Sequence, residues 1–172
     1  MKNNLILTGY MGSGKTSVGR ALARMLESIF LDTDHLIEEQ EGCSISEIFS
    51  GKGEEAFREM ETACLKELIR KRSVGVISVG GGTPLREENR QLMKRLGRVV
   101  YLQADPDTIF ERIRNDHSRP LLQTEDPRKR IEEMVKQREP AYLEAADQVI
   151  RVDGRRIEEI AEEILKHENF GD

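Results

Sequence analysis

A chain of 172 residues with 34% charged residues and a net charge of −5 is one ordinary domain, long enough for a core without disulfide or metal staples. Its acidic balance argues against a nucleic-acid partner, which would need a broad basic face. Cys43 and Cys64 lack metal-ligand spacing and read as reduced, unpaired thiols, while no apolar stretch approaches the ~20 residues that span a bilayer, so a soluble cytoplasmic protein without a membrane partner is expected.

In chain order, the apolar run Leu5-Ile6-Leu7 leads into Gly9-Tyr10-Met11-Gly12-Ser13-Gly14-Lys15-Thr16, and helical-looking residues follow from Val18. This is a full phosphate-binding loop in a strand-to-helix context. Its glycines let successive backbone N–H groups turn inward as an anion nest backed by a helix N-terminus. Lys15 reaches the β- and γ-phosphates of a nucleotide and Thr16 offers its hydroxyl to Mg²⁺. Further apolar runs at 29–31, 76–79, 99–102 and 149–152 alternate with segments of helical spacing. That alternation predicts an α/β fold, a parallel sheet covered on both faces, with ligands at the carboxyl ends of the strands. The second run ends in Asp32-Thr33-Asp34 and the third in Gly80-Gly81-Gly82-Thr83-Pro84. The final helix is expected from about Arg156 to His167.

Asp32 and Asp34 close the second run, where one is expected to face a metal and the other an acceptor. Arg58 neighbours a helical stripe of Ala56, Phe57, Met60, Cys64, Leu65 and Leu68. Spacing alone reads it as a solvated arginine paired with Glu61 or Glu54. Arg138 and Tyr142, one helical turn apart, admit the same plain reading. The aperiodic polar segment 115–126 reads either as a mobile lid over a nucleotide or as a surface loop. His35, His117 and His167 have no catalytic or metal spacing.

Taken together, these motifs resemble the shikimate kinase family along nearly the whole chain. The likeness runs through the phosphate loop, Leu31 to Asp34, Gly42 with Ser44-Ile45 and Ile48-Phe49, Gly53-Glu54, Phe57-Arg58 with Glu61, the triple glycine, Arg119-Pro120-Leu121-Leu122, and Arg138 with Tyr142. It implies a three-layer sandwich around a central five-stranded parallel sheet, like the nucleoside monophosphate kinases. It also implies a single P-loop kinase domain over 1–172, with a substrate-binding segment at about 33–61 and a mobile lid at about 115–126. The implied reaction is ATP-dependent phosphorylation of the 3-hydroxyl of shikimate, by a monomer. Carried over by position, Gly12, Ser13, Gly14, Lys15, Thr16, Ser17 and Arg119 bind ATP, with Arg112 and Arg156 as candidate adenine contacts. Thr16 binds Mg²⁺ directly and Asp32 through water. Asp34, Arg58, Gly81, Gly82 and Arg138 bind the acid, the arginines gripping its carboxylate, and Lys15, Asp34 and Arg119 are the catalytic set. The segment Arg151 to Ile157 is shorter than the family's usual base-binding loop. A kinase for another small acid such as gluconate, and a protein that binds ATP and a metabolite without turnover, stand as alternatives.

Overall fold

The computed structural model describes residues 4–72, 75–116 and 123–166. Five strands form one sheet: β1 (Leu5–Thr8), β2 (Phe30–Asp32), β3 (Val76–Ser78), β4 (Arg98–Gln103) and β5 (Gln148–Arg151). Their spatial order is β2-β3-β1-β4-β5, and every pairing is parallel. The helices are α1 (Lys15–Met25), α2 (Thr33–Glu41), α3 (Ile45–Arg70), α4 (Glu87–Leu96), α5 (Pro106–Ile113), α6 (Pro127–Ala145) and α7 (Ile157–Lys166), with a 3-10 turn at Thr83–Leu85. All five expected strands are present, and α7 lies within the span expected for it.

The sheet separates two apolar clusters because successive side chains on a strand point to opposite faces. On one face Leu5, Leu7, Val76 and Val100 pack with Leu22 of α1, Ile131 of α6 and Ile160 and Ile164 of α7. On the other, Ile6, Ile77 and Val99 pack with Leu65 and Leu68 of α3 and Leu92 and Met93 of α4. The strands carry apolar residues on both faces, which is why they read as continuous apolar runs.

Local chemistry starts the helices near the site. The Asp32 side chain accepts the N–H groups of Asp34 and His35 and so caps α2. Ser44 and Glu47 form a reciprocal capping box at the head of α3. Gly53, with φ of 84°, kinks α3, so its first turns and its long second half run in different directions. Gly42 stops α2 in the left-handed region, where glycine carries no side-chain penalty. Among the described residues no helix is long and apolar enough to cross a membrane.

At the opposite end of the sheet, buried Asn4 joins three chain segments. Its Nδ2 donates to the Leu96 carbonyl at 2.9 Å, and its Oδ1 accepts the Gly75 N–H at 2.7 Å. An alanine there would strand two backbone groups away from water. Asn4→Ala is expected to lower stability by about 2 kcal/mol, seen as a fall in Tm of roughly 4–8 °C by thermal unfolding, with the site below untouched.

Candidate active site

A cavity of about 480 Å³ opens at the carboxyl ends of β1, β2 and β3. The parallel order places β3 between β1 and β2, so the three loops that follow them meet there. The phosphate loop supplies Gly12, Gly14, Lys15, Thr16 and Ser17 to its wall. Gly12 and Gly14 have φ of 76° and 95°, and a methyl group at Gly12 would come within 2.9 Å of the Ile113 side chain. Lys15 Nζ folds back over the loop, donating to the carbonyls of Gly9 at 2.7 Å and Tyr10 at 3.2 Å. This holds the ammonium over the nest, where a phosphate oxygen would meet it. Ser13 is buried within the loop, and its hydroxyl makes no hydrogen bond among the described residues.

Asp32 and Asp34 both line the cavity, yet no extended segment runs through both. The strand stops at Asp32, which turns its carboxylate onto the first N–H groups of α2, and Asp34 sits in that helix's first turn. Capping thus overrides the extended geometry anticipated from spacing, because an unpaired helix N-terminus beside a carboxylate is satisfied by it. Asp34 is largely withdrawn from water and its Oδ1 has no partner among the described residues. Burial raises its pKa from 3.8 to about 6, helped by the negative charges of Asp32 and Glu61 and opposed by Lys15 and Arg58.

Arg58 pairs with both glutamates anticipated for it, but it is not solvated. Only 12% of its side chain is exposed; Nη1 bonds Glu61 Oε2 at 2.7 Å and Nη2 reaches Glu54 Oε1 at 3.4 Å. The guanidinium also lies 5.5 Å from the centroid of the Phe57 ring. Glu61 is itself 1% exposed and is completed from behind: Thr83 Oγ1 donates to its Oε1 at 2.6 Å. Buried Asn89 extends the set, donating to the Thr83 carbonyl at 3.0 Å and accepting from Thr62 Oγ1 at 2.7 Å. Arg138 arrives from α6, lies 5.5 Å from the Tyr10 ring centroid and faces the same cavity.

Gly80, Gly81 and Gly82 form the floor between these groups. A methyl at Gly80 would come within 2.8 Å of Asp34 Oδ1 and 2.7 Å of Glu61 Oε1, and one at Gly82 would overlap the Arg58 guanidinium. Glycine is required here for space, since neither Gly80 nor Gly82 has a positive φ.

The remaining candidate positions are dispersed. Arg112 donates to the Gly12 carbonyl at 2.9 Å, bracing the phosphate loop from α5. Arg156 is 77% exposed and paired with Glu159 at 2.8 Å, outside the cavity wall. Residues 117–122 of the anticipated lid, with His117 and Arg119, and His167 lie outside the described residues. His35 is an exposed partner of Glu39, and Cys43 and Cys64 are free thiols. Phe49 and Phe57, 4.9 Å apart, also line the cavity, as do Ile45 and Met11. Helical spacing gave Phe57 the signature of a core residue, and the structure places it both in the core and in the cavity wall.

Among the described residues no three His, Cys, Asp or Glu side chains cluster as a metal cage. The cavity instead offers the Thr16 hydroxyl and the Asp32 carboxylate beside the phosphate loop. One or two hard oxygen ligands, completed by water and phosphate oxygens, suit Mg²⁺.

A phosphate nest facing a buried carboxylate and two arginines across one cavity is the arrangement of a P-loop kinase acting on a small anionic acceptor. The sequence model of the family described as "Shikimate kinase" matches residues 11–168. Shikimate kinase of Neisseria gonorrhoeae is 46% identical over 169 residues, covering 96% of this chain and 98% of that relative, and that of Cupriavidus pinatubonensis is 44% identical over 162 residues, covering 94% and 84%. The solved structure of shikimate kinase from Acinetobacter baumannii in complex with shikimate superposes with a TM-score of 0.88 at 40% identity, covering 95% of this chain and 91% of that one. The Aquifex aeolicus enzyme gives 0.80 at 36% identity, covering 95% and 94%. The chain belongs to the shikimate kinase family.

The raised pKa of Asp34 has a consequence for stability. The folded chain resists ionising this carboxyl, so stability declines as pH rises from about 4 to about 6, the window between the ordinary and the folded values. Asp34→Asn removes the penalty. It is expected to stabilise the fold at pH 7 by up to about 3 kcal/mol, with the gain vanishing below pH 4 when thermal unfolding is followed against pH.

Proposed function

We propose that this protein transfers the γ-phosphoryl group of ATP to the 3-hydroxyl of shikimate, releasing ADP and shikimate 3-phosphate, as a cytoplasmic monomer. The observation that carries the reading is Asp34: a largely buried carboxylate with one oxygen unpartnered among the described residues, lining the cavity that also holds the phosphate loop, Arg58 and Arg138. Arg58 and Arg138 grip the acceptor's carboxylate, a task suited to planar, permanently charged guanidinium forks. Segment 33–61 thereby forms one side of the acceptor site, with Gly81 and Gly82 approaching the ring closely. Asp34 orients the attacking hydroxyl and takes its proton on the carboxylate as the new P–O bond forms and the bond to the leaving ADP oxygen breaks.

On the donor side, Gly12, Ser13, Gly14 and Ser17 shape the phosphate cradle, and Lys15 moves from the loop carbonyls onto the β- and γ-phosphates. The Thr16 hydroxyl and, through water, Asp32 would hold Mg²⁺, which when bound neutralises charge on the phosphate oxygens. Arg119 on the lid at about 115–126 adds charge at the γ-phosphate on closure and excludes water. Arg112, already anchored to Gly12, is the stronger adenine-side contact; Arg156 reaches the base only after leaving Glu159.

The reading is tested by coupled ADP release with Mg·ATP and shikimate beside gluconate and a no-acceptor control. Shikimate-dependent ADP is expected, and turnover with gluconate alone would overturn the acceptor. kcat/KM should rise with pH through about 6 as Asp34 loses its proton, then level; a profile flat across that range would remove Asp34 as the base. Arg58→Ala should raise KM for the acid by about a hundredfold, because it strips a desolvated charged contact and leaves Glu61 buried without its cation. The KM for ATP is expected to stay near that of the parent chain.

A further inference from the structure

Tyr142 is fully buried on α6, one turn beyond Arg138, and does not line the cavity. Its ring packs against Tyr101 at 5.0 Å between centroids. Its hydroxyl leaves this apolar setting to donate to the Gly81 carbonyl at 2.7 Å. A side chain built at Gly81 would sit 3.4 Å from Arg138 Nη1 and 3.6 Å from Tyr142 Oη, so the arginine, the tyrosine and the glycine turn converge on one point.

A trans peptide is planar, with its C=O and N–H directed oppositely. Holding the Gly81 carbonyl toward α6 therefore turns the Gly82 N–H away from α6. The Gly81 and Gly82 N–H groups find no acceptor among the described residues, although both residues line the cavity. Two flexible glycines would otherwise leave that peptide free to rotate. We infer that Tyr142 is a positioning residue: its hydroxyl fixes the Gly81–Gly82 peptide so that the Gly82 N–H is presented to the acid substrate, in register with Arg138. Burial pushes the phenol up to about 12, so it stays a donor across the working pH range.

This inference rests on the proposed function for its kinetic test, and a second readout separates the two. Tyr142→Phe keeps the ring and deletes the hydroxyl. With shikimate, KM should rise about fivefold, the effect of losing one neutral hydrogen bond, while kcat and the KM for ATP change less than twofold. A purely structural tyrosine would instead lower Tm and shift all three constants together. In the ligand-free protein, the Gly82 amide resonance should move in Tyr142→Phe. An unmoved Gly82 amide, or an unchanged KM for the acid in a chain that turns it over, overturns the inference. Failure of the parent chain to phosphorylate shikimate would sink the proposed function alone, leaving the amide readout to decide the tyrosine.

Discussion

A carboxylate held away from water between two like charges and two cations is the constraint around which this cavity is organised. Asp34 feels Asp32 and Glu61 on one side of the balance and Lys15 and Arg58 on the other, with burial outweighing each. Such a group survives in a folded protein only if the surrounding structure over-determines its place, because isolated burial of a charge is strongly unfavourable. Here the α2 cap sets the backbone of Asp34, and Gly80 leaves its carboxylate room. The same neighbours that lift its proton affinity are those that bind phosphate, metal and acid, so binding the partners also retunes the base.

The buried pair of Arg58 and Glu61 follows a similar logic. An arginine with so little exposure is tolerable only when its partner's remaining lone pairs are satisfied, and Thr83 does so from the segment that carries the triple glycine. Asn89 and Thr62 lock that segment to α3 and α4. One polar network thus ties Arg58 to the floor of the cavity, while Tyr142 ties the same floor to α6, one turn from Arg138. Both guanidiniums are positioned by groups that need never touch the substrate, so little side-chain freedom remains to be lost on binding.

Much of this was legible in the residues. Apolar runs with distinctive residues after each gave the strand order's ingredients, since strands buried on both faces cannot hide in amphipathic patterns. The phosphate loop is local: its glycines, lysine and threonine act through consecutive backbone geometry, so spacing alone carries the chemistry. Arg58 and Glu61, three apart, were paired correctly but assigned to solvent, because helical spacing reports neighbours and not depth. The extended geometry anticipated through Asp34 failed for a related reason, as the strand ends at Asp32, where its carboxylate caps α2.

By itself, then, the sequence determined the α/β class, the phosphate nest and the family, all of which depend on short-range order and on motifs in a set succession. Tertiary structure alone decided that Asp34 is largely buried with an oxygen unpartnered among the described residues, that Glu61 is enclosed by Thr83, and that Tyr142 reaches the Gly81 carbonyl. Each of these contacts joins residues far apart in the chain. Burial, and with it the dielectric that shifts a pKa or strengthens a hydrogen bond, is a property of what packs around a group and leaves no periodic trace in the chain.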